Sequence, residues 1–217
     1  MDSKLAAPWA HVYWIGGSPC AGKSTVAQAL ADRYNLYYYQ CDAWFPEHQR
    51  RASPAQQPTL QRLAVLSCDE IWLSPVAEQV ARVQAIYGEE FAMILADLRA
   101  LPTARPILAE GAALMPSVVL PYLSKQRQAV WLTPTPAFQR LHYTQRPWIQ
   151  DVLRASTDAT QAFQNWMARD EAFAAWVNAQ ATAAGLRLIQ VDGQQSSDEL
   201  TAEVAAWFGL SAPAHVP

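Results

Sequence analysis

The sequence has little charge, few cysteines and no concentration of basic residues. It contains 16 lysine and arginine residues against 19 acidic ones in 217 positions, which gives a formal net charge of −3. The absence of a basic block argues against a surface for nucleic acid or for membrane headgroups, and it therefore favours a small-molecule partner. Three cysteines, at no metal-ligand or redox spacing, imply no disulfide framework and fit free thiols in a reducing compartment.

Long apolar runs are absent as well. No stretch approaches the length of a membrane span, and the N-terminus lacks the apolar core of a signal peptide, so we expect a cytoplasmic protein with no membrane partner. Because 51% of the residues are hydrophobic, the chain can build the core of one α/β domain. We therefore predict a single domain over residues 1–217, with a frayed tail at 211–217.

One motif dominates the sequence. Residues 17–24 fit the pattern G-x-x-x-x-G-K-[ST], with a β-branched and aromatic run at 11–15 before it and apolar residues at helical spacing after it. Strand, glycine-rich loop and helix in this order predict a phosphate-binding loop, whereas the alternative is an ordinary glycine-rich turn into a helix. The predicted binding residues are Gly17, Ser18, Cys20, Ala21, Gly22, Lys23, Ser24 and Thr25.

The residue types in this loop explain the expected chemistry. The backbone amides of residues 21–24 converge at a helix N-terminus, where the helix dipole favours a β-phosphate. Lys23 supplies a positive charge for the β- and γ-phosphates, and the Ser24 hydroxyl is suited to ligate Mg²⁺. The motif therefore predicts ATP and Mg²⁺ as cofactors.

Two acidic residues follow strand candidates. The second strand, at 36–41, delivers Asp42, and the third, at 106–111, contains Glu110 near its end. Since the carboxyl ends of parallel strands meet at one edge of a sheet, both acids should lie near the phosphate loop. The alternative is that each carboxylate caps the helix that follows it. The fourth and fifth strands are expected at 128–132 and 186–191.

The remaining segments are mainly helical. An irregular loop is expected from Asp42 to about residue 58, followed by a helical insertion at about 58–101 that is interrupted at Gly88. After the fourth strand, a helix should carry Arg140 and Arg146, and the polar residues that follow suit a mobile lid at about 140–169.

These features resemble the small P-loop kinases, which include nucleoside monophosphate kinases, shikimate and gluconate kinases and chloramphenicol phosphotransferase. The resemblance runs from about residue 11 to residue 208. It implies a three-layer P-loop NTPase fold of the α/β class, with a five-stranded parallel sheet in the order 2-3-1-4-5, helices on both faces and a helical lid.

The resemblance also implies roles for the two acids. Asp42 is similar to the residue that serves as catalytic base or acceptor anchor after the second strand. Glu110, with Gly111 after it, resembles an Asp-Gly pair, and either orients Mg²⁺-bound water or touches the acceptor; this makes it a metal candidate through water.

Four further positions take roles from the same resemblance. Arg140 is similar to the arginine at the root of the lid that stacks on adenine, and Arg146 to a lid arginine that reaches the phosphates. Arg169, where the chain returns from the lid, is a further catalytic candidate. Asp192 and Gly193 resemble the turn that borders the adenine.

The sequence thus predicts an ATP- and Mg²⁺-dependent phosphotransferase that moves the γ-phosphate of ATP to a hydroxyl of a small acceptor, which is a metabolite or resembles an antibiotic. One alternative is a nucleoside monophosphate kinase, which needs a basic cleft that Arg50 and Arg51 would supply. Another is a regulator that binds or hydrolyses a nucleotide without an acceptor. The sequence indicates no oligomeric state.

Overall fold

The computed structural model describes residues 7–102 and 104–211. Five parallel strands form one sheet in the order β2-β3-β1-β4-β5, so the predicted sheet and its strand order are confirmed. The tail predicted to be frayed lies outside the described residues except for its first position. The strands are β1 (Val12–Gly17), β2 (Tyr37–Gln40), β3 (Ile107–Glu110), β4 (Ala129–Pro134) and β5 (Leu188–Val191).

Helices cover both faces of this sheet, which confirms the three-layer arrangement. Neighbouring residues of β1 show the division, because Trp14 packs into the apolar cluster on one face and Ile15 into the cluster on the other. The helices are α1 (Lys23–Tyr34), α2 (Cys41–Arg51), α3 (Pro58–Leu63), α4 (Cys68–Trp72), α5 (Val76–Ala100), α6 (Pro116–Val119), α7 (Pro136–Thr144), α8 (Trp148–Leu153), α9 (Ala159–Ala183) and α10 (Ser197–Phe208). Helices α5, α6 and α9 contribute to the first cluster, and α1 and α10 to the second.

The prediction of an irregular loop after β2 is wrong, because the chain forms helix α2 there. Pro46 lies inside this helix and removes one backbone hydrogen bond, which is why the sequence suggested a break. Long-range contacts outweigh that loss, since the fully buried His48 joins α2 to α5. The segment after Asp42 is therefore a helical wall of the site.

The break predicted at Gly88 is also wrong. Helix α5 runs without interruption for 25 residues, and a Cβ added at Gly88 would meet only the end of Met115 at 4.0 Å. A single helical glycine costs only about 1 kcal/mol relative to alanine. The buried residues Phe91, Ile94 and Leu98 on the same helix outweigh that cost by packing against the sheet.

A buried ionic network fixes α2 against α5. Nδ1 of His48 lies 2.9 Å from Glu90 Oε1, and its Nε2 lies 2.8 Å from Asp97 Oδ2. Asp97 also accepts hydrogen bonds from the Tyr39 hydroxyl and from Arg51. Burial alone would lower the pKa of His48, but the hydrogen bonds and charges of the two carboxylates raise it. Both ring nitrogens of His48 thus face carboxylate oxygens, an arrangement that favours the imidazolium over the neutral ring.

Within residues 7–102 and 104–211, none of the helices combines the length and the apolar character needed to cross a bilayer.

Replacing His48 by alanine should lower the free energy of unfolding by about 3–5 kcal/mol, because two carboxylates lose their shared cation. Because the pKa of His48 is raised in the folded state, its stabilisation of the fold is complete below the unfolded-state pKa of about 6.5. The stabilisation is lost as the pH rises through the folded-state pKa. The difference in stability between wild type and His48→Ala should therefore shrink as the pH rises above about 6.5 and through the folded-state pKa.

Urea denaturation over a pH series measures this difference. The control is Arg50→Ala, since Arg50 is exposed and, within residues 7–102 and 104–211, forms its ion pair with Glu47 alone; it should leave the unfolding curve unchanged at every pH. A difference between wild type and His48→Ala that grows with pH would contradict the assignment of a charged His48.

Candidate active site

The register of the sheet brings three strand ends together. Glu110, at the end of β3, lies opposite Ile15 of β1 on one side and opposite Gln40 of β2 on the other. The chain then leaves β1 into the glycine-rich loop and leaves β2 into Asp42 at the start of α2. The loop and both predicted acids therefore lie at the carboxyl edge of the sheet, where ligands bind in folds of this class.

The glycine-rich loop forms a cradle at the N-terminus of α1. Gly17 is the last residue of β1, and Gly22 caps α1 with φ at 72°, in the left-handed region that favours glycine. A Cβ built on Gly22 would meet nothing within 4 Å, so it would project into open space beside the loop. The first amides of an α-helix have no partners within the helix, so this arrangement suits an anion; binding of a phosphate by the loop stays a prediction.

Side chains of the loop complete this cradle. Lys23 is largely buried, and its Nζ donates a 2.7 Å hydrogen bond to the backbone carbonyl of Ser18. Cys20 has φ at 65°, and the chain therefore turns sharply at that residue. The loop borders a cavity of about 220 Å³ whose lining includes Cys20, Ala21, Gly22, Lys23, Ser24, Thr25, Asp42, Tyr87 and Arg146.

Glu110 is buried at the end of β3, near the phosphate loop, and does not line the phosphate-loop cavity. Its side chain is 1% exposed, and Oε2 accepts a 3.0 Å hydrogen bond from the Tyr38 hydroxyl. Oε1 is buried and forms no hydrogen bond of normal geometry among the described residues, although the Ser24 hydroxyl lies nearby. Burial raises the pKa of this carboxyl, while the positive charge of Lys23 and the Ser24 hydroxyl act in the opposite direction. A buried carboxylate oxygen without a partner is suited to accept a hydrogen bond from a ligand.

The cradle and this orphan oxygen fit a nucleotide with Mg²⁺. Among the residues that the structure describes, no group of three histidine, cysteine or acidic side chains forms a metal cage. Magnesium needs none, because it usually takes phosphate oxygens and waters together with one or two protein ligands. Ser24 at the start of α1 would supply a hydroxyl, and Glu110 would act through water.

Asp42 reaches the site because Gly111 lacks a side chain. A Cβ on Gly111 would lie 2.5 Å from Cys41 Cβ, which is too close for two carbon atoms that are not bonded, and 3.6 Å from Asp42 Oδ1. The missing methyl group lets the start of α2 approach the end of β3. The Asp42 carboxylate is exposed and lines the phosphate-loop cavity.

A second and larger cavity of about 700 Å³ adjoins the first, and we call it the acceptor pocket after the role that we propose for it. It is lined by α2, by the inserted helices and by residues of α8 and α9, and Asp42 and Tyr87 line both cavities. An acceptor held in the larger cavity would therefore meet the phosphate-loop cavity at the Asp42 carboxylate.

The structure places the predicted lid arginines at different positions. Arg146 lines the phosphate-loop cavity and stacks over the rings of Tyr143 and Trp148. Arg169 instead lines the acceptor pocket, with its guanidinium 4.8 Å above the Trp72 ring. Arg140 lies outside both cavities and forms a 2.7 Å ion pair with Glu171.

The two residues predicted to border adenine lie at the end of β5. Asp192 accepts a 2.9 Å hydrogen bond from the amide of Gln194, and Gly193 has φ at 87°. A Cβ on Gly193 would lie 2.9 Å from the Phe138 ring of α7, the helix that carries Arg140. Their contact with a nucleotide stays a prediction.

Several residues of the acceptor pocket were not predicted from the sequence. Tyr87, Arg82 and Glu90 lie on α5, where the helical pattern indicated only a buried apolar face. The sequence carried one usable signal: Arg82 and Glu90 are charged, whereas the residues of the same helix that face the sheet are mainly apolar. What they face depends on how α2 and α4 pack, which the sequence does not show.

No protein-family model matches this chain, and no curated protein matches it at a significant level. Similar solved structures include a sugar kinase from Janibacter sp. HTCC2649, at 16% identity with 93% of this chain and 96% of that chain covered and a TM-score of 0.47. A gluconokinase from Sinorhizobium meliloti 1021 has 13% identity, coverage of 93% and 92%, and a TM-score of 0.43.

A shikimate kinase from Acinetobacter baumannii, solved in complex with shikimate, has 15% identity, coverage of 89% of each chain and a TM-score of 0.39. These similarities carry no argument about the site or its reaction, because the TM-scores lie below 0.5. The strand order and the geometry of the loop establish the fold without them.

The substitution Gly111→Ala should destabilise the protein by about 1–3 kcal/mol, because the new methyl group overlaps Cys41 and must displace the start of α2. The matched control is Gly88→Ala, at an exposed helical position with open space, which should instead stabilise the protein by about 0.5–1 kcal/mol. Chemical denaturation compares the two variants. Equal effects would show that α2 does not depend on the close approach at Gly111.

Proposed function

We propose that this chain, which has the sheet and phosphate loop of the small P-loop kinases, transfers the γ-phosphate of ATP to a hydroxyl of a small molecule. The observation that carries the proposal is that Asp42 and Tyr87 line both the phosphate-loop cavity and the acceptor pocket. A nucleotide on one side and an acceptor on the other would therefore meet at a carboxylate, which is the arrangement that phosphoryl transfer to a hydroxyl requires.

The charges around the phosphate-loop cavity fit this reaction. Lys23 and Arg146 place two cations at the cavity, where negative charge spreads over the oxygens of a migrating phosphoryl group. Breaking the hydrogen bond between Lys23 and the Ser18 carbonyl frees the ammonium group for a phosphate. Magnesium, when bound, neutralises further phosphate charge; Ser24 and Glu110 are the residues that would hold it.

Asp42 takes the role of general base. It is exposed at the junction of the two cavities, so its carboxylate can accept the proton of an acceptor hydroxyl as that oxygen attacks phosphorus. Glu110 is less suited to this role because it is buried, its Oε2 is engaged by Tyr38, and it lies outside the lining of the acceptor pocket. Asp42 would therefore act on the acceptor hydroxyl, and Glu110 on the metal ion.

The segment at about 140–169 forms a lid over the acceptor pocket. It is joined to the inserted helices by Asp69 of α4, which accepts hydrogen bonds from the Ser156 hydroxyl at 2.8 Å and from the Thr157 amide at 2.9 Å. Val152 of α8 lines the pocket together with Cys68. Behind these polar contacts Ile149, Leu153 and Trp166 of the same segment are buried in an apolar cluster with Trp72 of α4, so opening of the lid would also expose that cluster.

The nucleoside monophosphate kinase alternative has less support. Arg50 and Arg51, the arginines that it needs, pair with Glu47 and Asp97 and line neither cavity. A regulator without an acceptor would leave a pocket of about 700 Å³ beside the phosphate loop without a role. The pocket therefore favours a transferase.

The proposal is tested by ADP release in the presence of ATP, Mg²⁺ and a panel of hydroxylated metabolites, aminoglycosides, chloramphenicol and nucleotides. We expect release to depend on an acceptor, and Lys23→Ala to abolish it without unfolding the protein, because the lysine serves the cavity rather than the apolar core. The control is Lys125→Ala, at the opposite edge of the sheet before β4, which should retain full turnover. Turnover that needs no acceptor would indicate an ATPase instead.

Two conservative substitutions separate the roles of the acids. Asp42→Asn should lower kcat by about 10²- to 10⁴-fold with little change in ATP affinity, because it removes the base. Glu110→Gln should weaken the Mg²⁺ dependence of ATP binding, because it removes the charge beside the metal position. Kinetics and ATP binding across a magnesium titration measure both effects. The opposite pattern, with the metal requirement altered only in Asp42→Asn, would reverse the two assignments.

A further inference from the structure

The lid segment contains four arginines, and one of them differs from the rest in its surroundings. Three form ion pairs with acidic side chains, namely Arg140, Arg154 and Arg169. The fourth, Arg146, lies in the turn between α7 and α8 and lines the phosphate-loop cavity. It forms no ion pair and no side-chain hydrogen bond within residues 7–102 and 104–211. Its position at the cavity is therefore not set by an opposite charge.

Two aromatic rings hold Arg146 instead. The central carbon of its guanidinium lies 5.3 Å from the centre of the Tyr143 ring and 5.8 Å from the centre of the Trp148 ring. Cation–π attraction favours a guanidinium over an aromatic face, and it leaves the N–H donors of the arginine available for phosphate oxygens. The rings therefore place this cation without neutralising it.

The two rings differ in how firmly they are held. Tyr143 is only 3% exposed, whereas Trp148 is 44% exposed. The Tyr143 hydroxyl donates a 2.6 Å hydrogen bond to Asp170 Oδ2, and its ring packs at a steep angle against the Trp166 ring, with centres 5.6 Å apart. Tyr143 is therefore the fixed support of Arg146, and Trp148 covers it from the solvent side.

A buried carboxylate orients the tyrosine. Asp170 is 2% exposed, lines neither cavity, and also accepts hydrogen bonds from Trp166 and Arg169. Burial raises the pKa of Tyr143, and the negative charge of Asp170 acts in the same direction. The Tyr143 hydroxyl thus stays protonated and remains a donor to Asp170, which fixes the ring.

The phosphate loop packs beside the same ring. Cys20, whose φ of 65° marks the sharp turn of the loop, belongs to the apolar cluster that contains Tyr143. Burial raises the pKa of Cys20, while the positive charge of Arg146 acts in the opposite direction. Loop, ring and guanidinium are therefore neighbours, and the packing of Tyr143 sets how Arg146 stands relative to the loop.

We propose that Tyr143 is a positioning residue, whose ring holds Arg146 at the phosphate-loop cavity so that the guanidinium meets the phosphates of the nucleotide already oriented. This inference rests on the proposed function and adds to it a side chain that touches no ligand. An arginine ordered in this way loses less side-chain entropy when it binds, which increases the affinity for the nucleotide.

Calorimetric binding of Mg²⁺ with an ATP analogue that has an imido bridge between its β- and γ-phosphates tests this inference without turnover. Arg146→Met should weaken binding by about 10- to 100-fold, because it removes charged hydrogen bonds to phosphate oxygens. Tyr143→Leu should weaken it by about 3- to 10-fold. When Arg146→Met is already present, Tyr143→Leu should cause no further loss, because a support has no effect once the group it supports is gone.

Further variants separate the ring face from general packing. Tyr143→Phe keeps the ring and should bind the analogue within about threefold of wild type. A fluorinated phenylalanine in place of Tyr143 keeps the shape but withdraws negative charge from the ring face, and should bind about 2- to 5-fold more weakly than Tyr143→Phe. The control is Phe163→Leu, which removes a ring packed on the same cluster but not one that holds Arg146, and should leave the affinity unchanged.

The inference is overturned if the effects of Tyr143→Leu and Arg146→Met are additive, if Arg146→Met binds as wild type does, or if fluorination of the ring does not change the affinity. Thermal unfolding shows which variants are folded, and the fluorinated ring decides the question if Tyr143→Leu is not. Failure of the proposed function has a different signature. A wild-type protein that shows this coupling in binding but releases no ADP with any acceptor would contradict the transfer reaction and leave the role of Tyr143 standing.

Discussion

The parallel register of β2, β3 and β1 is the constraint on which the site depends. Glu110 lies opposite Gln40 of β2 and Ile15 of β1. The phosphate loop after β1, Asp42 after β2 and Glu110 itself are therefore at the same height along the sheet. If one strand shifted by two residues against its neighbour, the residue at its end would move by about 7 Å but stay on the same face of the sheet. A shift of one residue would turn that side chain to the opposite face. The sheet resists such slips, since every residue of the central strand β3 is buried and apolar clusters cover both faces.

Helix α2 is held at two points, and this makes it a wall of the site. At its start the absent side chain of Gly111 allows close packing on β3, and toward its end His48 bonds to two acids, one of them Glu90 of the acceptor pocket. The same imidazolium thus secures the helix that carries Asp42 and balances a carboxylate that faces the pocket. The position of α2 and one wall of the larger cavity therefore both depend on His48.

The sequence predicted the sheet and the phosphate loop because both have local signals. Buried parallel strands are continuous apolar runs, and the loop needs glycine, lysine and serine at fixed positions. Helix α2 and the continuity of α5 were missed because Pro46 and Gly88 are breakers whose local cost is outweighed by distant contacts. The position of Arg169 against Trp72 likewise depends on packing between segments that are far apart in the sequence, about which local patterns carry no information.

Helix α5 shows how one element joins the core to the chemistry. Its buried residues Phe91, Ile94 and Leu98 fix it on the sheet, while Arg82, Tyr87 and Glu90 line cavities. Because the helix is anchored by its apolar face and by the His48 network, the charged groups along it keep a fixed spacing. The shape of the larger cavity therefore depends on an uninterrupted helix rather than on a loop.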